Sequence, residues 1–278
     1  MFPRILNRGT DVSGRKESEA GLELSRPKSA LFLHIPKTAG TSIINTVAPY
    51  YGKSLISHGD YSGKLPAEIT DISFVSGHFG YSYARPLMAS RVSFTFLREP
   101  RERVLSFYYF CRTRDPEEWP IYALAQKLDL EDFLRMAFQD ASVKSSIWNS
   151  QVWQLAHGWA NLDKRNITLW EPEELLRQAL KHLDDFSYIG LTETFDQDRD
   201  VILSLLGIPR PKRSVAANRS NGRPGLGELN PRITDIVDEL TQLDQRLYDE
   251  VISRRSAAPA VQAEASDRAC SLNDEREP

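Results

Sequence analysis

The stretch LFLHIPKTAGTSIINTV, Leu31 to Val47, decides how the rest of the chain is read. An apolar run ends at His34, a turn of small and hydroxylated residues follows, and apolar side chains then recur at helical spacing, which reads as strand, loop and helix. Within the loop, Pro36-Lys37-Thr38-Ala39-Gly40-Thr41-Ser42 offers a cation, three hydroxyls and a backbone that can curl its N–H groups around an anion at a helix start. In an ATP- or GTP-binding loop the lysine directly precedes the Ser/Thr that holds magnesium; here Lys37 stands at the front and Gly40 is followed by Thr41 and Ser42. The stretch therefore suggests a phosphate cradle without the metal-ligating arrangement. A plain N-capped helix, with Thr41 or Ser42 as the cap and a solvated Lys37, is the alternative.

Working outward, short apolar runs alternate with longer segments of helical period. Strands are expected at Leu31 to His34, Ile72 to Ser76, Val92 to Leu97, Ile167 to Trp170 and Tyr188 to Leu191. Helices are expected at Ser42 to Val47, Arg101 to Arg112, Leu130 to Phe138, Ser145 to Ala156, Glu173 to Leu183, Asp196 to Leu206 and Pro231 to Ser253. This alternation predicts an α/β, three-layer P-loop-type fold with a central, mostly parallel sheet flanked by helices. Ligands of such sheets bind beyond the carboxyl ends of the strands, where the loop after Leu33 falls.

A second such place is VSFTFLREPRERVLSFYYFCR, Val92 to Arg112. Its strand ends in Arg98, Pro100 suits a first helical turn, and Ser106 follows two turns on. Arg98 and Ser106 can converge on one phosphate, the guanidinium by a forked contact and the hydroxyl by another. Val104, Phe107, Tyr108 and Cys111 follow an apolar stripe expected in the core. The other arginines can equally be a solvated face paired with Glu99 and Glu102.

Composition sets the frame for both motifs. The 278 residues are 41% hydrophobic and 26% charged, enough for one sizeable core. A net charge of -3 gives no whole-molecule attraction to nucleic acid or anionic membrane, so an anion site must come from local clustering. Cys111 and Cys270 cannot make a disulfide scaffold, which fits a reducing, cytoplasmic compartment, and no metal site is expected. No apolar run near the start reaches the length of a membrane span. Residues 1–28 and 256–278 read as disordered, leaving one catalytic domain at 29–255.

With both segments in view, the chain resembles the PAPS-dependent carbohydrate sulfotransferases, the family that includes heparan sulfate 2-O-sulfotransferase and related chondroitin and dermatan enzymes. In that family HIPKT-G-TS holds the 5′-phosphosulfate of 3′-phosphoadenosine 5′-phosphosulfate (PAPS), and R-[DE]-P-x-x-R-x-x-S-x-[FY] binds its 3′-phosphate. The resemblance thus implies donor contacts from Lys37, Thr38, Ala39, Gly40, Thr41, Ser42, Arg98, Arg103 and Ser106. NSQVWQLAHG (Asn149 to Gly158) is similar to the family's Asn/Gln-rich helix. FSYIGLTETFDQDRDVILSLLGIP and LDQRLYDEVISR resemble its later strand and helices, with IGLTE read as a structural strand end. A sulfuryl transfer needs an acceptor hydroxyl, a base, and positive charge for the departing phosphate oxygens. Lys37 suits the last role. Among His34, His58, His78, His157 and His182, the base expected is His78, which follows Gly77 just beyond a short strand, where similar enzymes carry a Gly-His. A hydrogen-bonded loop histidine is the other reading of His78, and an acid could serve instead.

Arg210, Lys212, Arg213, Arg219 and Arg223 make the loop 208–225 basic, with cofactor closure the favoured use and a solvated loop the default. No aromatic residue is interleaved with them to stack bases, which speaks against nucleic acid. Tyr81, Tyr83, Trp148 and Trp153 are either a platform for a carbohydrate acceptor or core. A small-molecule or nucleotide P-loop kinase, and a silent nucleotide- or glycan-binding protein, are the competing functions.

Overall fold

The computed structural model describes residues 26–157, 170–211 and 223–274, with side chains as far as Ala257. Five parallel strands, β1 (Ala30–Leu33), β2 (Leu55–Ile56), β3 (Phe74–Gly77), β4 (Val92–Leu97) and β5 (Tyr188–Leu191), form one sheet in the order β2-β3-β1-β4-β5. Ten α-helices are described: α1 (Gly40–Tyr51), α2 (Tyr81–Met88), α3 (Pro100–Cys111), α4 (Pro120–Lys127), α5 (Leu130–Met136), α6 (Ala141–Ile147), α7 (Ser150–Ala156), α8 (Pro172–His182), α9 (Phe195–Leu206) and α10 (Pro231–Asp274).

Both sheet faces are covered, as parallel strands require. Along β1 the side chains alternate. Ala30 and Phe32 pack with Ile43 and Val47 of α1 and Ile202 and Leu203 of α9, while Leu31 and Leu33 pack with Ala84 of α2, Trp153 of α7, Leu175 of α8 and Leu247 of α10. A third cluster joins Val104 and Tyr108 of α3 to Phe133 and Leu134 of α5 and Leu240 of α10, away from the sheet.

The α/β fold and its parallel sheet are as the sequence predicts, with instructive differences in the elements. The expected helix Ser145 to Ala156 is two helices, α6 and α7, broken where Asn149 adopts φ 39°. At that break Asn149 is sewn into α10. Its N–H donates to the Leu240 carbonyl at 2.8 Å, and its Oδ1 accepts from the N–H groups of Leu243 and Asp244 at 2.9 and 3.1 Å. Asp244 reciprocates, accepting the N–H groups of Gln151 and Val152 in the first turn of α7. Burial pushes the Asp244 carboxyl up to about 6. The two-residue edge strand β2 and helices α2 and α4 were not expected; α2 carries Pro86 inside, a residue that usually marks a boundary. The expected strand Ile167 to Trp170 lies, except for Trp170, outside the described residues, as do most of the basic loop 208–225 and residues 1–25. Helix α10 runs past 255, where the sequence places the domain end, to Asp274.

One buried carboxylate ties the last strand to two helices. Asp198 of α9 accepts the Tyr188 and Thr194 hydroxyls at 2.6 Å, the Leu191 N–H at 2.7 Å, and both Nη atoms of Arg255 at 2.9 and 2.6 Å. Burial alone would raise its pKa, but these donors bring it below the ordinary carboxylate value. The stabilisation is therefore complete above the unfolded carboxyl's range and lost as pH falls through the folded value. Asp198→Ala leaves the Leu191 N–H and two hydroxyls without their acceptor and is expected to cost about 2–4 kcal/mol, read from urea unfolding at neutral pH. The loss should shrink when the same comparison is made in acid.

Candidate active site

Strand register brings the separated motifs to one edge. Leu33 of β1 pairs with Gly77 of β3 on one side and Thr95 of β4 on the other, so His34 and His78 leave the sheet at the same level and Arg98 emerges two residues beyond it. The carboxyl ends of three adjacent strands thus carry the Lys37 loop, His78 and Arg98 side by side.

The loop after β1 is a shaped concavity. Lys37 and Ala39 have φ of 74° and 65°, and Thr38 and Gly40 between and after them do not, an alternation that turns successive N–H groups toward one point. Such left-handed conformations in non-glycine residues cost about 1–3 kcal/mol each and cluster at ligand clamps. Two contacts hold the shape. The buried Thr38 hydroxyl donates to the Ile35 carbonyl at 2.8 Å, and the buried His34 ring fills the space against Gly40. A Cβ on Gly40 would lie 1.9 Å from His34 Nε2, so only glycine fits there. Helix α1 then begins, its first turn closed by Ser42 and Ile43 N–H groups on the Ala39 carbonyl. The earlier amides precede any acceptor of the helix and remain for an anion.

Lys37 is half-buried, with Nζ 3.8 Å above the centroid of the Phe110 ring of α3. Among the described residues no carboxylate pairs with it. Burial, and then Arg98, lower its pKa to about 8, so the ammonium is retained at neutral pH but held against its environment. An anion would relieve it.

Arg98 is positioned from both directions. Its N–H donates to Gln151 Oε1 at 3.0 Å, and Gln151 Nε2 donates back to its carbonyl at 2.9 Å. Its guanidinium donates to the Lys37 carbonyl and to Glu102 Oε2, each at 3.2 Å. Glu99 caps α3 by accepting the Arg101 and Glu102 N–H groups, and its own N–H donates to Glu193 Oε1. Glu193 in turn accepts the Tyr248 hydroxyl, so the strand end IGLTE braces this corner.

Arg103 and Ser106 are placed differently from Arg98. Arg103 is fully buried, its Nη2 donating to the Ser146 and Ile147 carbonyls at the α6–α7 break, and burial lowers its pKa to about 10. Those contacts tie α3 to the segment between α6 and α7. Ser106, also buried, lies on the same helix.

His78 sits within a cluster of three histidines. Its ring centroid is 4.4 Å from that of His34 and 5.8 Å from that of His58. His78 Nδ1 lies 2.9 Å from the His34 carbonyl, which can only accept, so Nδ1 carries the proton and Nε2 keeps its lone pair. Burial, partly countered by that hydrogen bond, lowers the His78 pKa to about 4, and burial keeps His34 well below the usual histidine value. Both are neutral near pH 7. Gly77 is required because the His58 loop crosses it, with the His58 carbonyl 2.9 Å from where a Cβ would stand.

Helix α7 locks these strand ends together. Gln154 Nε2 donates to the His34 and Phe79 carbonyls at 3.0 and 2.8 Å, while Gln151 holds Arg98 one turn earlier. Sequence alone marked this segment only as Asn/Gln-rich; the three-residue spacing of the two glutamines was the available signal. Of the aromatic residues considered for a sugar platform, Tyr81, Tyr83 and Trp153 are core, and Trp148 is half-buried against it. His182 stacks on Tyr81 with ring centroids 3.5 Å apart, and His157 lies tilted against Trp170 with centroids 4.0 Å apart, away from the cluster around His78.

The donor set suits two anionic groups: loop amides, Lys37 and the α1 hydroxyls for one, Arg98 for the other. Among the described residues no helix is long and apolar enough to cross a membrane, and no His, Cys, Asp and Glu grouping suits a metal ion. No curated protein sequence matches the chain. A family model described as the sulfotransferase family matches residues 24–249.

Proposed function

The chain belongs to the sulfotransferase family, and we propose that it is a PAPS-dependent O-sulfotransferase acting in line on a carbohydrate hydroxyl. The observation that carries this reading is the convergence, at the ends of β1, β3 and β4, of an anion-shaped loop, a neutral histidine with an assigned proton and a guanidinium. The carbohydrate acceptor rests on the likeness of the two motifs to carbohydrate sulfotransferases. We place the catalytic domain at 29–255, whose last residue makes the Arg255 contact with Asp198. A cytoplasmic setting is part of the proposal, supported by the free, buried thiol of Cys111.

Bound PAPS supplies the sulfuryl group and a phosphate leaving group. The amides of Thr38 to Thr41, with the hydroxyls of Thr41 and Ser42, hold the 5′-phosphate. Lys37 carries the positive charge needed where negative charge develops on the departing oxygens. His78 Nε2 takes the proton of the acceptor hydroxyl as that oxygen attacks sulfur, while Nδ1 remains bonded to the His34 carbonyl and fixes the ring. Arg98, with Arg103 and Ser106 of the same motif, binds the 3′-phosphate, and Gln151 holds the Arg98 main chain. Thr38 contributes its amide, since its hydroxyl is engaged within the loop.

Calorimetric titration with 3′-phosphoadenosine 5′-phosphate, using 5′-AMP and magnesium-ATP as controls, tests the donor assignment. Binding that requires the 3′-phosphate and weakens about 10- to 100-fold in Arg98→Ala is expected, the range for a charge-assisted hydrogen-bonded contact. Binding of magnesium-ATP alone would overturn it in favour of a kinase.

A further inference from the structure

Arg98 is not the only guanidinium at its corner. Arg223, from the end of the basic loop, donates through Nη2 to Glu102 Oε2, the same oxygen that Arg98 Nη2 contacts at 3.2 Å, and through Nη1 to the Glu102 carbonyl at 3.1 Å. The side chains of Arg98, Arg223 and Glu102 are only 19%, 16% and 23% exposed, so the group is shielded from water and its charges are weakly screened. Arg98 is also tied to the Lys37 carbonyl, which places the trio beside the anion loop.

Two cations sharing one carboxylate oxygen leave one net positive charge and unsatisfied donors. Arg98 feels this: after burial, Arg223 is the next cause lowering its pKa, and Glu102 only partly restores it. A phosphate offers more charge and three acceptor oxygens, which match the forked donors of two guanidiniums better than one carboxylate does. Glu102 Oε2 already occupies an Nη2 donor of each guanidinium, so a phosphate taking those donors would compete with it.

We infer that Glu102 is an internal counter-ion that competes with the donor's 3′-phosphate, and that Arg223 is a second guanidinium for that phosphate. This rests on the donor assignment above. Glu102 thereby sets how strongly the site discriminates a 3′-phosphorylated nucleotide from one without it. With the carboxylate present, a ligand lacking the 3′-phosphate leaves the three side chains as they are, and a ligand carrying it must exchange partners.

The test is calorimetric titration of the full chain with 3′-phosphoadenosine 5′-phosphate and, separately, with 5′-AMP. Glu102→Gln keeps the shape of the side chain and removes its charge; it should tighten the bisphosphate by about tenfold and leave 5′-AMP unchanged. Arg223→Ala should weaken the bisphosphate by about 10- to 100-fold, again without affecting 5′-AMP. Urea midpoints identify any variant whose fold is impaired. Unchanged or weaker bisphosphate binding in Glu102→Gln would overturn the competition and make Glu102 a simple organiser of the arginines. Unchanged binding in Arg223→Ala would remove Arg223 from the site. If the unmodified chain itself fails to distinguish the two nucleotides, the donor assignment fails first.

Discussion

His78→Asn is expected to lower kcat by about 10²- to 10⁴-fold, the range for removing a general base, while binding of 3′-phosphoadenosine 5′-phosphate stays within about twofold. The selectivity of the loss follows from position. His78 touches the His34 carbonyl and faces the cluster at the end of β3, whereas the proposed anion contacts come from the loop after β1 and from Arg98 after β4. Asparagine can still donate to the His34 carbonyl, so the strand ends keep their spacing and only the Nε2 lone pair is lost. Steady-state turnover of labelled PAPS together with calorimetry on the same preparation separates the two effects. Turnover within a few-fold of the parent would strip His78 of the base role and direct attention to an acid.

Lys37→Ala should be comparably severe, about 10²- to 10³-fold in kcat, the loss typical of one preorganised donor to a developing oxyanion. Here pH supplies a second readout. His78 must be neutral and Lys37 protonated, so kcat/KM should rise through about 4, plateau, and fall as pH passes about 8. The alkaline limb is the diagnostic one, because burial and Arg98 depress the ammonium and a bound anion would raise it again. The fall in kcat should therefore lie at higher pH than the fall in kcat/KM. Lys37→Arg should abolish the limb near 8 even where activity is low, since a guanidinium stays charged there. A limb that persists in Lys37→Arg would assign it to another group.

The sequence carried much of this architecture because its two phosphate-type motifs are local. Each is a strand feeding a loop and a helix, and period and turn residues mark such units directly. The position of His78 was legible by the same logic, one residue past an apolar strand. Contacts between distant segments were not legible. Nothing local announces that Asn149 interrupts an apparent helix, since the competing bonds come from Leu240, Leu243 and Asp244 about ninety residues later. That Arg103 is fully buried, with carbonyl partners at 146 and 147, does not show in its place among the exposed-looking arginines of its segment. Tyr81 and Trp153 could be assigned to a sugar platform only because composition does not record which side of a helix meets the sheet. The edge strand β2 is too short, at two residues, for alternation to show.

The clamp from α7 grips main-chain atoms: the carbonyls of His34 and Phe79, and both the amide and the carbonyl of Arg98. A tether of that kind is indifferent to the side chains it holds in place. Side chains around the three strand ends can therefore be exchanged without loosening the main chain they stand on, and one rigid frame can be fitted to successive acceptors by changing its border alone. Such a division between a fixed frame and a free border makes this scaffold easy to diversify, in nature or by design.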